Sequence, residues 1–110
     1  MLNQVVLVGR LTTDPEAIEI EGGHKKSLFN VAVPRSYKNA KGEYETDFIR
    51  CVLWDAIATS TAEYCKKGDI VGIKGRIQVS SYEEDGKKKY LTEVVAEKVT
   101  FLSSKKQGEE

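Results

Sequence analysis

A chain of 110 residues with 17 basic and 17 acidic side chains carries no net charge to offer a polyanion, so any attraction to one must come from how the charges are distributed. That length suits one domain able to bury about two-thirds of its unfolded surface, which removes the need for a metal or a disulfide staple. Two cysteines, Cys51 and Cys65, make no disulfide framework, and both are expected reduced, as in a cytoplasmic protein.

In chain order, the first predicted element is a strand over 3–11. Its apolar residues are broken by Asn3, Gln4, Gly9 and Arg10, it has no basic leader, and it is too short to span a membrane. Asp14-Pro15 then signals a turn, and Asp14, Glu16, Glu19 and Glu21 gather acid ahead of Gly22-Gly23. His24 has no cysteine at ligand spacing and reads as an exposed side chain rather than a metal ligand. A second strand over 26–34 leads into a basic connecting loop with Arg35, Tyr37, Lys38 and Lys41.

The third strand, 46–54, carries the sharpest pattern. Side chains alternate along a strand, so Phe48, Arg50, Val52 and Trp54 leave one side while Ile49, Cys51 and Leu53, all apolar, leave the other. Packing the first set inward would bury Arg50 and expose three apolar residues, a poor exchange. Phe48 and Trp54 are therefore expected on the solvent face beside a cation. A helix over 56–67, with Ile57, Ala58, Thr61, Ala62, Tyr64 and Cys65 on its apolar side, is expected to end with Gly68 as its C-cap.

A long fourth strand over 69–82 repeats the two-faced arrangement, with Val71, Ile73, Ile77 and Val79 for packing and Lys74, Arg76, Gln78, Ser80 and Tyr82 for solvent. Asp85-Gly86 turns the chain, Lys87, Lys88 and Lys89 follow, and a fifth strand over 90–101 completes a domain of residues 1–102. Residues 103–110 are expected to be a flexible extension. Tyr44, Tyr64 and Tyr90 lack the mixed basic and small polar loop setting of Tyr37 and are assigned to packing or rim.

Three strands, a helix and two more strands make an all-β chain in the order of the OB-fold, a five-stranded Greek-key barrel with one helix between the third and fourth strands. Gly72 and Gly75 suit a barrel corner. They also spell the GXXG of KH domains, but that loop joins helices and here both flanks read as strand. Cys51 lies on the packing side, Cys65 in the helix, and no histidine is near to activate either. No phosphate loop, dinucleotide fingerprint or zinc signature is present, and Glu43, Glu45 and Asp47 border the basic loop as solvated rim. An enzyme is thus the weakest class, with no catalytic residue, metal or cofactor assigned. Aromatics among cations on a strand face form the surface that single-stranded nucleic acid needs; an OB-fold protein-interaction module is the alternative.

Several longer runs occur in one order between residues 2 and 102: Asn3-Gln4-Val5-Val6-Leu7-Val8-Gly9-Arg10-Leu11, then Asp14-Pro15-Glu16, Asp47-Phe48-Ile49-Arg50-Cys51-Val52-Leu53-Trp54, Tyr64-Cys65-Lys66-Lys67-Gly68, Gly75-Arg76-Ile77-Gln78 and Thr92-Glu93-Val94-Val95. Together they resemble the bacterial single-stranded DNA-binding proteins. The resemblance implies an OB barrel that assembles as a homotetramer, with single-stranded DNA wrapped around it for replication, repair or recombination in the cytoplasm, at the nucleoid. It places base stacking on Tyr37 in the second connecting loop, Phe48 and Trp54 on the third strand, and Tyr82 at the end of the fourth. Two of these are Tyr where well-known members have Trp. Arg50 and Lys67 stand where the family has cations near the DNA path, and Arg10, Arg35, Lys38, Lys74 and Arg76 are further candidates to track phosphates.

Just before the last aromatic some members carry a basic cluster, whereas this chain has Val79, Ser80 and Ser81. Lys87 to Lys89 either compensate from the adjoining loop or form a solvated hairpin tip. Longer members continue into a tail with an acidic, apolar tip that recruits other proteins, and Glu109-Glu110 does not match it, so tail-mediated partners are not expected. The ending fits either a shortened long member or one of the short paralogues, a type associated with handling incoming DNA during natural transformation.

Overall fold

Alternation along β1 (Val5–Leu11) turns Leu7, Gly9 and Leu11 toward the interior and leaves Val6, Val8 and Arg10 exposed in the computed structural model, which describes residues 1–104. From that strand five long strands close a barrel. β1 pairs antiparallel with β5 (Ile70–Glu84), β5 antiparallel with β6 (Lys87–Ser103), and β6 parallel with β4 (Tyr44–Trp54). β4 pairs antiparallel with β3 (Lys25–Lys38), which returns to β1 at Arg10↔Ala32 and Leu11↔Val31. With α1 (Asp55–Tyr64) between β4 and β5, this is the expected OB-fold. A two-residue strand, β2 (Ile18–Glu19), adds to the start of β3 and was hidden in the sequence by its acidic surroundings.

Val31, Cys51, Leu53, Val71 and Ile73 are fully buried at the centre, and α1 packs on the barrel with Ala58 and Thr61 buried. Burial pushes the Cys51 thiol up to about 11 and, with Asp69 adding to the effect, also raises that of Cys65, so both stay protonated near neutral pH.

Three expectations change. The helix stops at Tyr64, and Gly68 is not its cap. Cys65 is already extended, and Gly68, at φ 93°, instead forms a turn closed by the Asp69 N–H donating to the Lys66 carbonyl at 3.0 Å. That turn is pinned to β1, since Gly68 N–H donates to Leu11 O and Leu11 N–H to Asp69 O, both at 2.9 Å.

Ile77 and Val79 are exposed, not packed. The β1 partnership of β5 ends at Val5↔Gly75; beyond it the Asn3 side-chain amide accepts the Ile77 N–H and donates to the Ile77 carbonyl, both at 2.9 Å, and among the described residues β6 is then the only strand beside β5, so the right parity meets no core. Tyr37, finally, lies on β3 and not in a loop, because β3 and β4 run on as a second two-stranded arm whose register is irregular between Pro34 and Lys38. Its tip is held by Asn39, whose Oδ1 accepts the N–H groups of Lys41 and Glu43 at 2.9 and 3.0 Å. At the other end of the chain, Ser103 still belongs to β6, and residues 105–110 of the expected extension lie outside the described residues.

Candidate nucleic-acid interface

The alternation of β4 builds the centre of the site. Cys51 and Leu53 are buried, whereas Phe48 is 66% and Trp54 39% exposed. Val52, on the same side as those aromatics, is nonetheless buried, because it is registered with Leu28 on β3 and Val95 on β6, outside the main core. One row further along lie Asn30 of β3, Arg50 of β4, Glu93 of β6 and Gln78 of β5, a polar line across four strands. Following β5 outward on the side of Gln78 reaches Tyr82, 49% exposed and paired with Lys89. Tyr37 is 63% exposed on the other arm, inside the stretch between Pro34 and Lys38 where the register is irregular. Phe48, Trp54 and Tyr82 thus share one outer surface, and Tyr37 stands on the β3–β4 arm beside it.

The cations are more engaged than their sequence positions suggest. Arg35 gives Nε and one terminal nitrogen to Asp47 at 2.9–3.3 Å, and its other terminal nitrogen lies 3.3 Å from Glu45. Arg35 holds Asp47 below the usual carboxylate range, and Asp47 in turn raises Arg35. Arg50 pairs with Glu93 at 3.0 Å, Arg10 donates to the Gly68 carbonyl at 2.7 Å, and Arg76 donates to Gln78 at 3.0 Å. Lys38 lies 5.7 Å from the Tyr44 ring centroid. Lys67 uses its main-chain N–H on Asp14 at 2.8 Å while its side chain stays exposed, and Lys74 faces outward between Val6 and Lys98. At the far tip Lys87 stands opposite Glu84 and Lys88 opposite Glu83, so the lysine run is met by acid across the hairpin. Tyr44, Tyr64 and Tyr90 are exposed, and two of them, set apart in the sequence, do have a cation over the ring: Lys38 at Tyr44 and Lys88 at 5.8 Å from the Tyr90 centroid.

Glu93, Glu45 and Asp47 are therefore in direct contact with candidate cations, Arg50 and Arg35. Glu45 and Asp47 were read as solvated rim, and Glu93 only as part of a motif. The one local sign of Glu93 is an acid in a strand that continues as Val94-Val95-Ala96. Lys26 was overlooked too; its Nζ sits 5.2 Å from the Trp54 ring centroid, close enough for a cation–π contact on one ring face.

The single-strand binding protein family profile matches residues 2–102. The chain belongs to that family. Among its relatives, "Single-stranded DNA-binding protein B" of Bacillus subtilis is 50% identical over 96% of this chain and 94% of its own length. "Single-stranded DNA-binding protein 3" of Listeria innocua serovar 6a is 50% identical over 98% of this chain and 68% of its length. An Oceanobacillus iheyensis "Single-stranded DNA-binding protein" is 51% identical over 96% of this chain and 66% of its own. The family match covers both arms as well as the barrel.

Directly after Trp54, Asp55 takes φ 53°, a left-handed conformation that costs a residue with a Cβ. Its carboxylate offsets this by accepting the Lys25 N–H at 3.1 Å and contacting His24 Nδ1 at 3.2 Å. The Lys25 N–H, and next the His24 ring, hold its pKa below the ordinary carboxylate value. A depressed folded pKa means this stabilisation is present above the unfolded value and is lost as pH falls through the folded one. Asp55→Asn is expected to melt below wild type at neutral pH, with the gap narrowing as pH drops below about 4. A gap independent of pH in thermal melts would show that the carboxylate charge is not what holds this corner.

Proposed function

We propose that this chain binds single-stranded DNA with little sequence preference and catalyses no reaction, serving replication, repair, recombination or uptake of DNA in the cytoplasm, at the nucleoid. The observation that carries the reading is the split of β4, with Phe48 and Trp54 exposed on either side of Arg50 while Cys51 and Leu53 are buried. Every base offers a π face, so stacking on Phe48, Trp54, Tyr37 and Tyr82 is indifferent to sequence. Relatives named as single-stranded DNA-binding proteins, half identical over nearly the whole chain, support the same reading. Phosphates fall to Arg50, Lys67, Lys74, Arg76, Arg10 and Lys38, with Arg35 committed first to Asp47 and Glu45.

Trp54 is the single tryptophan, so its emission reports this surface alone. Titration with oligo(dT) is expected to quench it saturably, and a duplex of equal length is not. Affinity should fall with salt, the logarithmic slope being about 0.7 per phosphate contacted. Trp54 emission unchanged by oligo(dT) would refute the reading.

A homotetramer is part of the same proposal. Val6 and Val8 are exposed on β1, and among the described residues the stretch Val5–Val8 is paired only with β5, leaving its second edge open. An open edge with apolar side chains invites another chain, and linked copies make later DNA contacts effectively intramolecular. Light scattering at micromolar concentration is expected to give four chains; a monomer would remove both the assembly and the wrapping of DNA around it.

A further inference from the structure

Glu93 is a carboxylate in the middle of a surface assigned to a polyanion. Its side chain is 12% exposed, between Arg50 of β4 and Gln78 of β5. A charge this far from water needs a partner, and Glu93 has Arg50, whose Nε lies 3.0 Å from Oε2. Among the described residues, the two terminal nitrogens of Arg50 hold no protein partner. Arg50 also lines a shallow groove with Thr12, Thr13 and Asn30. Arg35 is the contrast, with all three of its nitrogens on carboxylates.

We propose that Glu93 is a positioning residue for strand binding: it holds Arg50 by Nε so that the terminal nitrogens meet one phosphate in the groove beside Thr12, and Arg50 keeps both partners at once. The proposal rests on the single-stranded DNA reading above. A guanidinium has five N–H donors in a planar fork, so one edge serves a carboxylate while another serves a phosphate. Drawing Arg50 wholly onto the phosphate would leave Glu93 unpaired with little access to water, which makes bridging the lower-energy arrangement. Glu93 also repels phosphate at longer range, and the sign of its coupling to Arg50 separates that effect from positioning.

The test is a double-mutant cycle on oligo(dT) affinity at fixed salt, read by anisotropy of a labelled strand. Arg50→Gln is expected to weaken binding about tenfold when Glu93 is present and less than about threefold in a Glu93→Ala background. In a Glu93→Gln background, where an acceptor for Nε remains, most of the tenfold dependence on Arg50 should return. An Arg50 cost as large or larger without Glu93 overturns the proposal, because that is the result of a charge that only neutralises. A second readout needs no variant: by heteronuclear NMR of wild type, the Arg50 Nε–H should exchange slowly with solvent and remain slow when oligo(dT) is bound. Loss of that protection on binding overturns the proposal as well. A wild type that fails to bind oligo(dT) defeats the DNA reading and this proposal together, whereas one that binds with an unchanged Arg50 cost defeats this proposal alone.

Discussion

Replacing Gly75 with alanine is expected to destabilise the protein by about 3 kcal/mol, at the upper end for overpacking, because the added methyl has nowhere to go. A Cβ there would run into the Val95 carbonyl oxygen and lie 3.0 Å from its carbon and 3.1 Å from Ala96 Cα. All three are backbone atoms of β6, so relief requires moving a strand. The crowding has a cause: between Lys74↔Lys98 and Gly75↔Ala96 the partner strand carries one extra residue, Glu97, and bends β6 against β5 where β1 also ends. Gly72→Ala is the control. A Cβ at Gly72 meets its nearest neighbours at 3.6–3.9 Å, ordinary contact, and should change stability by less than about 1 kcal/mol. Denaturant midpoints that are equal for the two variants would mean that β5 and β6 are not in close approach at Gly75.

Phe48→Ala and Trp54→Ala are each expected to weaken oligo(dT) binding by about 1–3 kcal/mol while leaving the melting temperature near that of wild type. Both side chains are exposed and leave no cavity when removed. Trp54 has Lys26 5.2 Å from its ring centroid, so one face remains for a base and the lysine stays beside it. Phe48→Ala can be followed by Trp54 quenching, while Trp54→Ala needs a labelled strand. Leu53→Ala should give the opposite result, losing about 2–5 kcal/mol of stability with intrinsic binding retained, since Leu53 is fully buried on the other side of β4. Stability loss at Phe48 together with affinity loss at Leu53 would reverse the two faces of the strand.

Those faces were legible in the sequence because β4 sets Ile49, Cys51 and Leu53 against Arg50, and only one arrangement keeps the cation out of the core. The strand order and the helix were legible for similar reasons of local pattern. Ile77 and Val79 were misread because period-two alternation names the sides of a strand without saying whether anything covers them. Tyr37 was placed in a loop because Pro34 and the polar residues after it mask an extended hairpin. The engagement of Arg50 was out of reach, since its partner Glu93 is 43 residues away and meets it only through a parallel β4–β6 pairing. Gly68 looked like a helix cap from its position alone, whereas its turn is fixed by hydrogen bonds to β1.

The two arms divide the molecule by cooperativity. Within the barrel, β5 up to Gly75 has a partner on each side, and as far as Gln78 its partner β6 is still backed by β4, but among the described residues β5 and β6 pair only with each other from Val79 to Glu84. From Val33 to Lys38 β3 is likewise paired, among the described residues, only with β4. A two-stranded ribbon on its own is marginal in water, so the amides of both arms should exchange with solvent through local opening, and those of Val31, Leu53 and Ile73 only when the whole domain unfolds. Tyr37 and Tyr82 then ride on segments that rearrange without cost to the barrel, while Phe48 and Trp54 sit on its rim, and ordering by a bound strand would appear first as slowed exchange in the arms.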